Sequence, residues 1–509
     1  MVRSCSRVAV IGSGPAAAIT IDALIKEQAF DAVRVFERKG TVGGTWVYAS
    51  DDAPKIPSLR ALLDNCADQP VAIPSSFPCE TEVTEAVNSP QWRYSGTAVH
   101  EYLHSNLPPQ TMCYTQEPIP EILSERTIAQ YGSNAPFRHR EVIRDWVEDI
   151  FIQSGGLDLV EFHTTVERAE KRGDKWVLTL RKAAPGATKN LWWQEVFDAV
   201  VVATGHFSIP YIPAIPGMVE YDEKFPGRIK HSKHFRSVDE FSGKKVIIVG
   251  GSVSAFDALH EIRLVAQHPV ISSLKEPLPA FGWSAFTHPH VVNKPPISQF
   301  HPDGRIDFSD GSSEDQVDII LFATGYDFSF PFLPGFDSRI KNRRIRGLYQ
   351  HVFDIEDPSL SFIGMVAGGL TFRVFEWQAV AVARHLASRA RLPAKQQMQK
   401  WEQDKIATVG DGMSFYDLSG DFEGYFEGLR LLAGEPAHGA GRTLPKYDPE
   451  WKEMFTKVVV RARVQWWDRE RRKAEEEIRQ AESRQESVGG LVPVPVPVPE
   501  DVDRARVRL

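Results

Sequence analysis

The first residues able to do chemistry together are Gly12-Ser13-Gly14-Pro15-Ala16-Ala17 and Glu37, which stands 20 residues past Ala17. Branched apolar residues precede the glycines and a helical pattern follows, so the run reads as strand, tight turn and helix. Gly12 makes the turn. Gly14 has no side chain, so a pyrophosphate can approach backbone N–H groups at the positive end of the helix. The third position needs only a small residue for strand–helix packing, and Ala17 supplies it. Glu37 closes the next strand, where a carboxylate accepts hydrogen bonds from ribose hydroxyls and repels a 2′-phosphate. The site suits FAD or NAD, not NADP. Gly43-Gly44-Thr45-Trp46 follows closely and brings bare backbone and one large aromatic near the cofactor, which favours FAD. Its alternative reading is a structural turn with a core tryptophan.

A second strand–glycine–helix unit begins at Lys244–Val249 and continues as Gly250-Gly251-Ser252-Val253-Ser254-Ala255. Ser252 occupies the place of the second glycine; its hydroxyl can donate to a phosphate, but its side chain narrows the approach. The following strand, around Val270-Ile271, ends without an acid. Lys275 stands near the ribose position and would favour a 2′-phosphate, so NADPH is expected over NADH. A solvated surface lysine is the other reading.

The elements that must position these turns fit a chain of 509 residues, long enough for about three units. Its 42% hydrophobic and 25% charged content is that of an ordinary protein with a large buried core. A net charge of -8 and a pI near 6.0 leave no basic surplus for neutralising phosphates, which argues against nucleic acid as the main partner. Cys5, Cys66, Cys79 and Cys113 lie far apart, without C-x-x-C or metal-ligand spacing, and read as free thiols in a reducing compartment. The N-terminus runs straight into the strand-like Val8–Ile11, leaving no room for a signal peptide, and no apolar run approaches a membrane span. A cytoplasmic location is expected. Helical patterns occur around Val99–Leu103, over Arg140–Phe151 and from Glu376 to about Ala390. Residues 47–94, rich in Pro, Ser and Asp, form an irregular, partly ordered excursion. Residues 461–487 are densely charged and suit a solvated helix, and the Val-Pro repeat of residues 488–509 suits an extended, disordered tail.

With these elements in place, the sequence resembles the class B flavin monooxygenases, the flavin-containing monooxygenase family. Phe225-x-Gly227-x-x-x-His231-x-x-x-Phe235 is similar to their fingerprint and sits between the two glycine turns, as it does in the family. Asp318-x-x-x-Phe322-Ala323-Thr324-Gly325-Tyr326-x-x-x-x-Pro331 resembles an element shared with N-hydroxylating relatives. Ala203-Thr204-Gly205, followed by Pro210 and Pro213, matches the first inter-domain crossing. Tyr102-Leu103-His104-Ser105-Asn106-Leu107-Pro108-x-x-x-Met112 looks like the segment whose asparagine meets flavin and nicotinamide. Glu376-x-Gln378-Ala379 resembles the start of the helix facing the flavin. The likeness covers about residues 7–390 and leaves out the 47–94 excursion and the C-terminal tail.

The resemblance implies an α/β fold of two doubly wound dinucleotide-binding domains, the FAD domain interrupted by the NADP domain. The parts expected are residues 1–212 (FAD), 213–318 (NADP), 319–455 (FAD again), 456–487 (charged helix) and 488–509 (tail). It also implies FAD and NADPH as cofactors, and a small molecule and O₂ as substrates. The family's flavin forms a C4a-hydroperoxide, which must be kept dry and hydrogen-bonded. Asn106 is the expected positioning residue, since a neutral amide donates and accepts without protonating a peroxide; Ser105 flanks it at the cofactors. A cap or turn before Leu107-Pro108 is the competing role for Asn106. His231 reads as a buried histidine supporting the NADP loop, or less simply as a proton-transfer group. Gln378, taken to lie at a helix N-terminus after Gly368-Gly369, would stabilise charge on the reduced flavin or be an exposed amide of no consequence.

Baeyer–Villiger relatives carry Trp where this chain has Phe235, so oxygenation at an amine nitrogen or sulfur is expected, with ketone oxidation as the alternative. A flavin-bearing scaffold without catalysis is a rival of another class. A disulfide reductase would need paired redox cysteines, which the sequence lacks. The size of the 47–94 excursion suits a specialised small molecule of secondary metabolism.

Overall fold

The computed structural model describes residues 5–48, 58–64, 69–83, 96–183, 185–279, 282–437 and 439–489. Arg7–Ile11 pairs in parallel with Ala32–Phe36 on one side and Ala199–Val202 on the other. These short runs are apolar because both faces of the sheet are covered. With Leu360–Phe362, Val160–Glu161 and two short antiparallel strands at residues 348–349 and 353–354, they make a seven-stranded sheet. Alternate residues face opposite layers. Val8 and Val10 pack on helices Pro15–Glu27 and Thr371–Leu386. Ala9 and Ile11 pack toward an antiparallel sheet of Cys79–Glu82, Lys189–Phe197, Lys175–Lys182 and Thr164–Arg172.

The second unit is a five-stranded, fully parallel sheet in the order Ile229–His231, Ile319–Phe322, Val246–Val249, Val270–Ser273, Val291–Lys294. Helix Val253–Ile262 covers one face and the Met218–Lys224 helix the other. The boundary expected at residue 318 falls just before Ile319–Phe322, yet that strand lies inside the second sheet, between Ile229–His231 and Val246–Val249. The return crossing therefore begins at Ala323. A buried apolar strand reads the same whichever sheet it joins; pairing decided the matter.

Other expectations are corrected. Val99–Leu103 is a turn, closed by Leu103 N–H to His100 O, and short helices appear instead at Pro109–Met112 and Glu125–Tyr131. The helix placed at Glu376 begins at Thr371. Helix Arg461–Gly489 exists, but it is not simply solvated. Trp467 is buried against Phe256 and His288, while Arg463 pairs with Asp257 and Arg263 with Glu470. Two adjacent tryptophans outweighed the surrounding charge. Within the 47–94 excursion, Leu59–Leu63 is a helix capped by Ser58 and packed on the second unit, and Cys79–Glu82 extends the antiparallel sheet. Residues 49–57, 65–68 and 84–94 of the excursion lie outside the described residues, as does most of the 488–509 tail.

Candidate active site

The two glycine turns share one construction. Gly12 has φ +101°, and a Cβ built there would lie 2.7 Å from the Ala203 carbonyl oxygen. Gly250 has φ +132°, and its Cβ would lie 2.6 Å from the Ala323 carbonyl oxygen. Each Ala-Thr-Gly crossing thus seats its alanine against the first glycine of its own unit's turn. Only glycine fits either place, for its backbone angle and for space.

Around the first turn a cavity of about 290 Å³ is lined by Gly12, Ser13, Gly14, Pro15, Ala16, Glu37, Gly44, Thr45 and Trp46, all singled out from the sequence. Gly44 closes on Gly14 so tightly that its Cβ would lie 2.6 Å from the Gly14 Cα. Ala17 is fully buried and serves packing, as its small size suggested. Glu37 accepts from the Ser13 hydroxyl at 2.6 Å and from the Lys39 N–H at 2.8 Å. Trp46 stands edge-on to Phe372, with its buried Nε1–H unpartnered among the described residues. Bare backbone, a fixed carboxylate and an unspent donor around one cavity fit a flavin dinucleotide.

The sequence reading missed much of the cavity's far wall: Thr164–Glu167, His206, Asp327, Phe332, Gly364, Thr371, Phe372 and Phe375. Gly364, with φ +94°, carries a local signal in its residue type. Asp327 stands at an unspecified position of the Asp318–Pro331 element, and the others come from distant segments without a shared motif.

Gln378 is the clearest correction. It lies inside the Thr371–Leu386 helix, fully buried, its Oε1 accepting from Gly364 N–H and its Nε2 donating to the Tyr425 hydroxyl. It supports the Gly364 turn and does not reach the cavity. The end of that helix which does line the cavity is Thr371-Phe372. Ser105 is also spent internally, donating to Leu107 O and accepting from Arg138 N–H, so its hydroxyl is a turn fastener. Asn106 beside it is exposed and lies outside the lining of the first cavity. Its position is nevertheless fixed, because Leu107 and Met112 are buried in the core and Tyr114 donates to Pro15 O at 2.7 Å.

At the second turn, Ser252 is exposed and N-caps the Val253–Ile262 helix without using its hydroxyl. Val253 and Ser254 follow as the first helical residues. Ala255 is fully buried and its N–H already donates to Ser252 O, which suits a packing role. Gly251 runs beneath the 276–278 segment, whose Leu278 N–H donates to Gly251 O, so exposed Lys275 stands beside the turn. An open turn with an idle hydroxyl and a neighbouring cation fits NADPH.

His231 is completely buried at the end of its strand. Its Nδ1 accepts from Lys233 N–H, its ring meets Tyr326 edge-on, and burial drives its pKa down to about 3. Burial holds it neutral beside the return crossing.

These two sites define a flavoprotein in which a nicotinamide-dinucleotide unit is inserted into an FAD unit. The model of the flavin-binding monooxygenase-like family matches residues 93–277 and 284–429. Flavin-containing monooxygenase ustF2 of Aspergillus flavus is 27% identical over 90% of this chain and 98% of its own length. Flavin-containing monooxygenase FMO GS-OX5 of Arabidopsis thaliana is 31% identical over 77% of this chain and 76% of its own. The structure of S-allyl-L-cysteine S-oxygenase from Allium sativum superposes with a TM-score of 0.68 at 25% identity, covering 93% of this chain and 98% of that one.

The chain belongs to the flavin-binding monooxygenase-like family. It is a flavin-dependent monooxygenase with FAD and NADPH as cofactors, acting on a small molecule and O₂. Among the described residues, no helix is long and apolar enough to cross a membrane, and no group of three His, Cys, Asp or Glu is placed to hold a metal ion.

Proposed function

We propose that the chain oxygenates a soft heteroatom, an amine nitrogen or a sulfur, in a small molecule of specialised metabolism. The observation that carries this reading is Phe235, the closing residue of the fingerprint. It is buried, with its ring 5.1 Å from His100 and 5.8 Å from Phe241. Baeyer–Villiger relatives place a tryptophan there, and at this buried position between two rings the larger side chain would call for repacking. The S-oxygenase likeness supports the same reading.

Bound FAD, reduced by NADPH, supplies the activation of O₂. The protein's part is to bind, orient and exclude water. Glu37 and the Gly12–Gly14 backbone hold the dinucleotide end. Trp46, Phe372 and Phe375 put an apolar wall on the cavity, which slows the loss of activated oxygen to water. Asn106, exposed beside buried Ser105, would offer an amide, donor and acceptor together, to the activated oxygen.

NADPH consumption should be followed over a panel of amines, thioethers and ketones, with H₂O₂ and products measured together. N-oxides, hydroxylamines or sulfoxides coupled to NADPH are expected. Esters or lactones from ketones as the main coupled products would replace this reading with Baeyer–Villiger oxidation. NADPH-dependent reduction without any oxygenated product across the panel would leave the substrate class wrong.

A further inference from the structure

Asn342 and Arg343 are the central residues of a tight hairpin whose strands pair Ile340 with Ile345 and Lys341 with Arg344. Both have left-handed backbones, with φ +53° and +60°. Such a turn favours Asn followed by Gly. Asn342 obeys that preference. Arg343 does not, and its Cβ carries a steric penalty that glycine would avoid. A strained residue held by its surroundings calls for a functional explanation.

Its contacts supply one. Nε donates to Asp327 Oδ1 at 2.9 Å, and Nη2 donates to the Tyr326 carbonyl at 2.8 Å. The guanidinium lies 3.8 Å from the centre of the Tyr211 ring. Tyr211 belongs to the first crossing between the units; Tyr326 and Asp327 belong to the second. The crossings run side by side, with Tyr326 paired to Pro210 and Asp327 to Ile209. Tyr211 N–H donates to Gly325 O at 2.9 Å, and Thr324 Oγ1 donates back to Tyr211 O. The hairpin itself is anchored in the FAD unit. Ile345 is in its core, and Arg344 is ion-paired with Glu402 and Asp411. One side chain of the FAD unit therefore grips both chains that lead to the NADP unit.

We infer that Arg343 is a positioning residue for the step in which NADPH is oxidised and FAD reduced, setting the angle at which the NADP unit meets the flavin. It is not among the residues that line the first cavity, and it acts through Asp327, Tyr326 and Tyr211. Two adjacent strands form a hinge whose twist is magnified at any distance from it. A misplacement of about 1 Å at the reacting centre costs on the order of 10²-fold in rate. Arginine suits the place because its planar fork reaches a carboxylate and a carbonyl while its face covers a ring; lysine offers only the charge. The role concerns reduction of the flavin and stands whichever substrate atom is oxygenated.

The test uses the FAD-loaded full chain with Arg343→Asn, which suits the left-handed turn at least as well as arginine and removes the grip. FAD content and the thermal transition should match wild type. Hydrogen exchange in peptides covering residues 205–212 and 323–328 should quicken, while the remainder of the FAD unit is unchanged. In single-turnover reduction, the limiting rate should fall by about tenfold or more, with the half-saturating NADPH concentration altered less than about threefold. Arg343→Lys should recover part of that rate through the Asp327 pair. Unchanged exchange at both crossings would overturn the inference. So would a normal reduction rate despite loosened crossings, or loss of FAD with exchange raised throughout the FAD unit, which would make Arg343 a fold residue only.

Discussion

The Ser13 hydroxyl and the Glu37 carboxylate, 24 residues apart in the chain, meet at 2.6 Å beneath the first glycine turn. With Lys39 N–H on its other oxygen, Glu37 is held in one orientation at the cavity wall. Glu37→Arg should purify without flavin. Glu37→Gln keeps the shape but sets an amide NH₂ against one of these donors, so FAD should be released about tenfold more readily. Flavin absorbance per chain after gel filtration reads both. A Glu37→Arg protein as yellow as wild type would remove the ribose contact from this residue.

Lys275 stands exposed beside the second turn, where only the 2′-phosphate of NADPH would need it. Lys275→Ala should raise the KM for NADPH by about tenfold and leave the KM for NADH nearly unchanged. Equal effects on the two would place Lys275 outside the site.

Asn106 is exposed between two buried neighbours, Ser105 and Leu107, so its backbone is fixed while its amide faces outward. Asn106→Ala should retain FAD and fold. Oxygenated product should fall by about 10²-fold, as on removing one preorganised donor. NADPH consumption should fall less, the difference appearing as H₂O₂. Asn106→Asp should be no better, since a carboxylate lacks the donor. A fully coupled alanine variant would leave Asn106 a turn residue.

Trp467 packs its indole under the Arg263 guanidinium, 5.2 Å from the ring centre, and is 3% exposed. Trp467→Ala should lower the stability of the second unit by about 3 kcal/mol. Denaturant unfolding reads the loss, and flavin content should stay at one per chain. A variant as stable as wild type would return the C-terminal helix to the solvated role its charge suggested.

His231 is neutral in the fold, its pKa lowered from 6.5 to about 3 by burial. The unfolded chain therefore binds the extra proton first. Its contribution is complete above pH 6.5 and is lost as pH falls from 6.5 toward 3, at up to about 1.4 kcal/mol per pH unit. His231→Asn, whose side-chain oxygen can still accept from Lys233 N–H, should flatten the fall of thermal stability between pH 6.5 and 4. An unchanged slope would mean that other buried histidines, His351 among them, carry the acid sensitivity.

What was legible in the chain was what a few adjacent residues decide. A turn that needs φ above zero and no Cβ can be met only by glycine, so Gly12 and Gly250 announce themselves. Glu37 follows at the end of the next strand because strand length is regular. The order of motifs between the turns then sets the family and its two cofactors. Gln378 and Ser105 share one feature. Their types permit ligand contact, but distant residues had already taken their hydrogen-bonding groups: Gly364 and Tyr425 for Gln378, and Arg138 for Ser105. The allegiance of Ile319–Phe322 to the second sheet and the grip of Arg343 on both crossings have the same origin. The sequence by itself determined the two dinucleotide turns, because backbone geometry at a tight turn is a local demand. Only the tertiary structure decided which polar groups remain free to meet a ligand, because a hydrogen bond is claimed by whichever partner the fold brings within 3 Å.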